Sequence, residues 1–152
     1  MSSEPIQLRA PRPEDRTVWS DLWTGYLAFY ETALPDEVYD VAFARLLSDD
    51  PATFSGLLAW QGEQAVGLVH WVFHPHMWRP EGVCYLQDLF TALEARGQGV
   101  AQKLIEAVYA DADARGAPRV YWLTQDFNAK ARELYDRIGV KTRFIRYDRA
   151  AA

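Results

Sequence analysis

The chain reads as an α/β protein in which a mixed central sheet is flanked by about four helices. Three features predict this. Strand-like and helix-like segments alternate through the second half of the chain. The links at residues 61–64 and 74–82 are short, as antiparallel neighbours require, whereas the helical connection over residues 99–116 suits a parallel crossover.

In order, Ile6-Gln7-Leu8-Arg9-Ala10 alternates apolar and polar side chains as a half-buried strand does. Pro13-Glu14-Asp15 marks a helix start: proline presets φ, and the acidic residues face the positive end of the helix dipole. Val18, Leu22, Tyr26 and Phe29 follow at helical spacing, with Trp19, Trp23 and Tyr30 widening the stripe. The loop Glu31-Thr32-Ala33-Leu34 carries one carboxylate. Pro35-Asp36-Glu37 then opens a second helix whose apolar side is Val38, Val41, Ala42, Leu46 and Leu47. Residues 54–60 and 65–73 are apolar and aromatic strands on either side of a glycine turn. Two prolines and a glycine make His74 to Gly82 a loop. Cys84 to Thr91 is the central strand. A third helix runs from Gly99 to Arg115 and stops at Gly116. A strand at Val120–Leu123, a fourth helix from Asn128 to Ile138 and a final strand at Thr142–Tyr147 complete the chain. With no internal repeat or linker, residues 1–152 read as one domain.

Composition excludes several classes. No apolar run approaches the roughly 20 residues that span a bilayer, and Met1-Ser2-Ser3-Glu4-Pro5 lacks the basic start and apolar core of a signal peptide. The expected location is the cytoplasm, with no membrane partner. A formal charge of −5 opposes nucleic acid and mildly favours a cationic ligand. Cys84 is the only cysteine, so no internal disulfide forms, and its place in an apolar strand makes it a small buried residue rather than a nucleophile. His70, His74 and His76 fall close together, but no cysteine or acidic cluster joins them, and no metal is expected.

The central strand feeds Arg96-Gly97-Gln98-Gly99-Val100-Ala101, a glycine-rich turn into a helix N-terminus. Unpaired first-turn N–H groups, the helix dipole and glycines that admit close approach make such a turn an anion holder. A dinucleotide fingerprint needs a glycine where Gln102 stands, and a P-loop needs Gly-Lys-Ser/Thr, which is absent. Arg96, Gly99 and Ala101 fit Arg-x-x-Gly-x-Ala instead, and this resembles the pyrophosphate signature of the GNAT superfamily of N-acetyltransferases. Residues 128–139 resemble a second signature of that family, Asn-x-x-Ala-x-x-Leu-Tyr-x-x-x-Gly, with Asn128 also placed to cap its helix.

The resemblance implies the GNAT fold, in which the central strand and the next splay apart to admit the pantetheine arm, and acetyl-CoA as cosubstrate. It implies that Leu89, Phe90 and Thr91 pair with pantetheine while Arg96, Gly97, Gln98, Gly99, Val100 and Ala101 hold the pyrophosphate. Asn128 would help position the cofactor, and Tyr135 would protonate the departing thiolate. Tyr85 to Phe90, Trp122 to Gln125 and Phe144 to Tyr147 look like the branch that acetylates polyamines, amino acids or histone tails. That branch often has Glu-Asp-Leu where this chain has Gln87-Asp88-Leu89, so a carboxylate base is missing.

The implied reaction is direct attack of a primary amine on the thioester, with no covalent enzyme intermediate. Asp88 is the first candidate, and Glu31 the second, to bind the ammonium or accept its proton; Tyr30 and Gln87 complete the expected substrate contacts. Gln87 and Asp88 can serve one pocket only if a bulge breaks the strand's alternation, and the family places one here. Small amine substrates and a homodimer are expected. Rival readings are an aminoglycoside or protein-lysine acetyltransferase and a non-catalytic acetyl-CoA sensor.

Overall fold

The computed structural model describes residues 4–151. Five strands form one sheet in sequential order: β1 (Ile6–Arg9), β2 (Ser55–Gln61), β3 (Gln64–His76), β4 (Arg79–Thr91) and β5 (Val120–Tyr121). The first four pair antiparallel, and β5 lies parallel to β4. The helices are α1 (Arg16–Phe29), α2 (Asp36–Leu47), α3 (Val100–Ala114) and α4 (Ala129–Ile138). This is the mixed sheet with four helices that the sequence predicts.

Strand alternation divides the core. Leu58 and Leu68 turn toward α1 and α2, where Trp19, Leu22, Trp23, Leu27 and Phe43 meet them. Ala59, Val69, Trp71, Cys84 and Leu86 turn the other way, onto Val100, Leu104, Ile105 and Val108 of α3 and the partly buried face of α4.

Four expectations are corrected. His74–Gly82 is not a loop: β3 and β4 run through it and turn at Met77-Trp78, and a register shift between His74 and His76 skips Pro75, which has no N–H to pair. No strand forms at Thr142–Tyr147; Phe144, Ile145 and Tyr147 stand exposed. The strand expected at 120–123 pairs only at Val120 and Tyr121. On α2 it is Phe43 that is buried, while Val38, Val41 and Leu47 of the expected apolar side are exposed.

Candidate active site

A single extra residue organises the site. His70 of β3 pairs with Asp88 and Trp71 with Leu86, leaving Gln87 as a bulge on β4. Without it, period-two alternation would send Asp88 to the α3 face with Cys84 and Leu86. With it, Asp88 turns to the α1 face, Phe90 packs there too, and Gln87 is exposed.

Beyond the bulge β4 loses its outer neighbour. Only Cys84 and Tyr85 pair with β5, so from Leu86 to Thr91 the edge away from β3 has no strand partner among the described residues. An unpaired edge can accept an extended ligand as an added strand. The turn that follows is open in the same direction. Gly97 and Gly99 hold φ of 81° and 79°, in the left-handed region, and a Cβ built on either meets nothing within 4 Å. The first α3 donor with an intrahelical acceptor is Lys103, bonded to Gly99 O at 3.1 Å, so the preceding N–H groups of Val100, Ala101 and Gln102 are free of the helix ladder. Val100 itself is buried and can serve a ligand only through the main chain, while Gln98 Oε1 accepts from Gln61 Nε2 at 2.9 Å. Arg96 Nε donates to Thr91 O at 3.2 Å, which folds its guanidinium back beside the end of β4. Amides free of the helix ladder, absent Cβ atoms and an arginine with no ion pair among the described residues fit a diphosphate with an extended amide-bearing arm.

Asp88 is 6% exposed, and the hydrogen bonds it accepts from His70 and Trp23 converge on Oδ2. Trp19 Nε1–H donates to His70 Nε2 at 3.0 Å, and because an indole nitrogen can only donate, the imidazole proton sits on Nδ1. That Nδ1–H donates to Asp88 Oδ2 at 2.8 Å, and Trp23 Nε1–H reaches the same oxygen at 3.3 Å. Burial works to raise the carboxyl's pKa, but hydrogen bonds from His70, Tyr26 and Trp23 outweigh it and hold Asp88 below the usual 3.8. Asp88 is therefore a permanent buried anion at neutral pH.

Tyrosines close the other side. Tyr26 Oη donates to Gln87 O at 3.5 Å, and burial with the nearby Asp88 charge keeps it protonated. Tyr30 stacks edge-on to Tyr26 at 5.2 Å. On α4, Tyr135 lies edge-on to Trp122 at 5.5 Å; burial, with Tyr30 nearby, pushes its pKa up to about 12. The structure thus brings Asp88, Gln87, Tyr30 and Tyr135 to one region beside the open edge. Glu31 stands outside it, exposed, with a φ of 56° at the end of α1. Asn128 is also corrected: its side chain caps nothing and instead donates to Thr124 Oγ1 at 3.4 Å.

Sequence reasoning missed the roles of His70, Trp19 and Trp23. The available signal was the four-residue spacing of the tryptophans on one helix face, together with a histidine inside an otherwise apolar strand.

Known proteins resemble this chain in sequence and in fold. The model of the acetyltransferase (GNAT) family matches residues 17–140. The chain is 38% identical over 151 residues to the D-amino-acid N-acetyltransferase HPA3 of Saccharomyces cerevisiae, covering 98% of this chain and 93% of the relative. It is 31% identical over 81 residues to the thialysine N-epsilon-acetyltransferase of Bos taurus, about half of each protein. Among solved structures, the aminoglycoside N-acetyltransferase AAC(6')-Iy in complex with CoA superposes with a TM-score of 0.80 at 19% identity, over 98% of this chain and 97% of that one. The ribosomal-protein-alanine N-acetyltransferase of Brucella melitensis gives 0.76 at 19%, over 97% of this chain and all of that one.

Proposed function

The chain belongs to the acetyltransferase (GNAT) family, and we propose that it transfers the acetyl group of acetyl-CoA to the amine of an amino acid or a similarly small acceptor bound at Asp88. The observation that carries this reading is a buried, ionised carboxylate on the stretch of β4 whose outer edge is unpaired. The relative at 38% identity, a D-amino-acid N-acetyltransferase, supports the acceptor class.

When bound, acetyl-CoA supplies an activated acetyl group as a thioester. The main chain of Leu89, Phe90 and Thr91 would align its arm, and the turn from Arg96 to Ala101 would hold its diphosphate, with Asn128 nearby. The acceptor is the harder partner to prepare. A free alkylamine has a pKa near 10.4, so at pH 7 only about one molecule in 2,500 is nucleophilic. Asp88 draws in the ammonium and fixes its nitrogen at the bulge. It does not serve as the base, because a carboxyl held below 3.8 is more than about six units too acidic to take that proton. The proton leaves through water at the exposed Gln87 side, where the glutamine can hydrogen bond but not titrate. Tyr135 remains a phenol and donates to the departing sulfur, opposing charge there as the carbon–sulfur bond breaks.

The reading includes a cytoplasmic homodimer, supported by the apolar Phe144, Ile145 and Tyr147 that this chain leaves uncovered. The function is tested by thiol release from acetyl-CoA over a panel of D- and L-amino acids, polyamines and aminoglycosides. Release with amino acids, reduced about a hundredfold in kcat by Tyr135→Phe, is the expected outcome. Release confined to polyamines or aminoglycosides would overturn the acceptor assignment.

A further inference from the structure

We infer that the acceptor binds as a zwitterion, with Arg45 holding the carboxylate of an α-amino acid whose ammonium sits on Asp88. This rests on the amino-acid reading above and adds the residue that selects for it. A cavity of about 580 Å³ lies between the helical layer and the sheet, and its walls include Trp23, Val38, Val41, Arg45, His70 and Asp88. Its size suits a small ligand with room for a side chain. Val38 and Val41 are 37% and 44% exposed because they face this space instead of the core. They offer an apolar surface to a substrate side chain.

The charges on the wall are unequal in their partners. Asp88 accepts from His70 and Trp23 through Oδ2 and has no ion pair with an arginine or lysine among the described residues. Arg9, Arg16, Arg115 and Arg146 each pair with an aspartate, whereas the Arg45 side chain makes no ion pair, hydrogen bond or ring contact among the described residues. Its place in the fold brings it to the Asp88 end. Arg45 lies in the last turn of α2, and its neighbour Leu46 meets β2 at Gly56: a Cβ there would lie 2.8 Å from Leu46 Cδ2 and 3.3 Å from His70 Cδ2. Leu46 and His70 both close over that spot, so this end of α2 sits beside the histidine that donates to Asp88. Glu37, the other carboxylate on the wall, stands at the far end of α2, about 12 Å away along the axis. The Arg45 end therefore offers a fixed anion and an uncommitted cation, which is the complement of an amino acid. A polyamine would instead bring a second ammonium toward Arg45, and like charges repel.

The test compares leucine and methionine, in both enantiomers, with their carboxamides as acceptors for the wild type, Arg45→Ala and Arg45→Glu. The wild type favours the acids. Arg45→Ala raises KM for the acids about ten- to a hundredfold while leaving kcat and the amide kinetics unchanged, and Arg45→Glu reverses the preference. Equal effects on acids and amides, or no effect on acids, would overturn the role of Arg45 while leaving the amino-acid reading intact. A wild type that acetylates the amides and no acid would overturn both.

Discussion

Asp15, His70 and Asp88 are the polar or charged side chains buried among the described residues, and the two carboxylates survive burial differently. Asp15 is held by Arg9 at 2.7 Å and by the Arg12 N–H at 2.8 Å, a structural pair at the first turn of α1. Asp88 has neutral donors only, which leaves its charge available to a cation. Both carboxyls are lowered in the folded state, so each contributes stability that is present above the ordinary 3.8 and lost as pH falls through its folded value. Replacing His70 by leucine removes the main donor to Asp88 and costs about 1.5–3 kcal/mol of stability. It also raises the Asp88 pKa, so the acid limb of kcat/KM moves to higher pH. His70→Asn, whose amide can replace Nδ1–H, restores the limb. A purely structural His70 would lower stability without moving the limb. This network was only partly legible beforehand. Asp88 stood out as a carboxylate in the central strand, but its burial and its orientation depend on a bulge that the residue pattern 84–91 does not announce.

At the scale of elements, the turn from β4 into α3 was the most legible part, because glycine spacing reports backbone conformation directly. Gly99→Ala places a side chain at a φ of 79°. Since its Cβ would meet nothing, the cost is that of the left-handed backbone, roughly 1–2 kcal/mol. A shifted turn also misaligns the amides of Val100 and Ala101. Thermal unfolding and acetyl-CoA titration of this variant should therefore show lower stability and a weaker affinity, with the amine KM unchanged. Unchanged acetyl-CoA affinity would remove the turn from the cofactor site. The β3–β4 hairpin was misread because Pro75 and Pro80 are loop signals in isolation, yet a register shift carries one and the strand's exposed start carries the other. The expected strand at 142–147 has the right residues but pairs with no edge of the sheet in this chain, and pairing is a property that a segment's own residues cannot specify.

Across the whole molecule, the proposed function rests on where the sheet stops being continuous. Parallel pairing of β4 with β5 ends after two residues, α1 and α2 cover one side of the resulting opening, and α4 brings Tyr135 to the other. In the proposed reaction acetyl-CoA fills this opening while the amine waits on Asp88. Saturating acetyl-CoA at a hundred times its Kd should stabilise the fold by about 2.7 kcal/mol, but that value does not locate the ligand. Amide hydrogen exchange does. With acetyl-CoA bound, the account predicts slowed exchange at the open edge of Leu86–Thr91 and at Val100–Gln102, with β1 and β2 unchanged. Protection elsewhere, with these two segments exchanging as in the free protein, would contradict it.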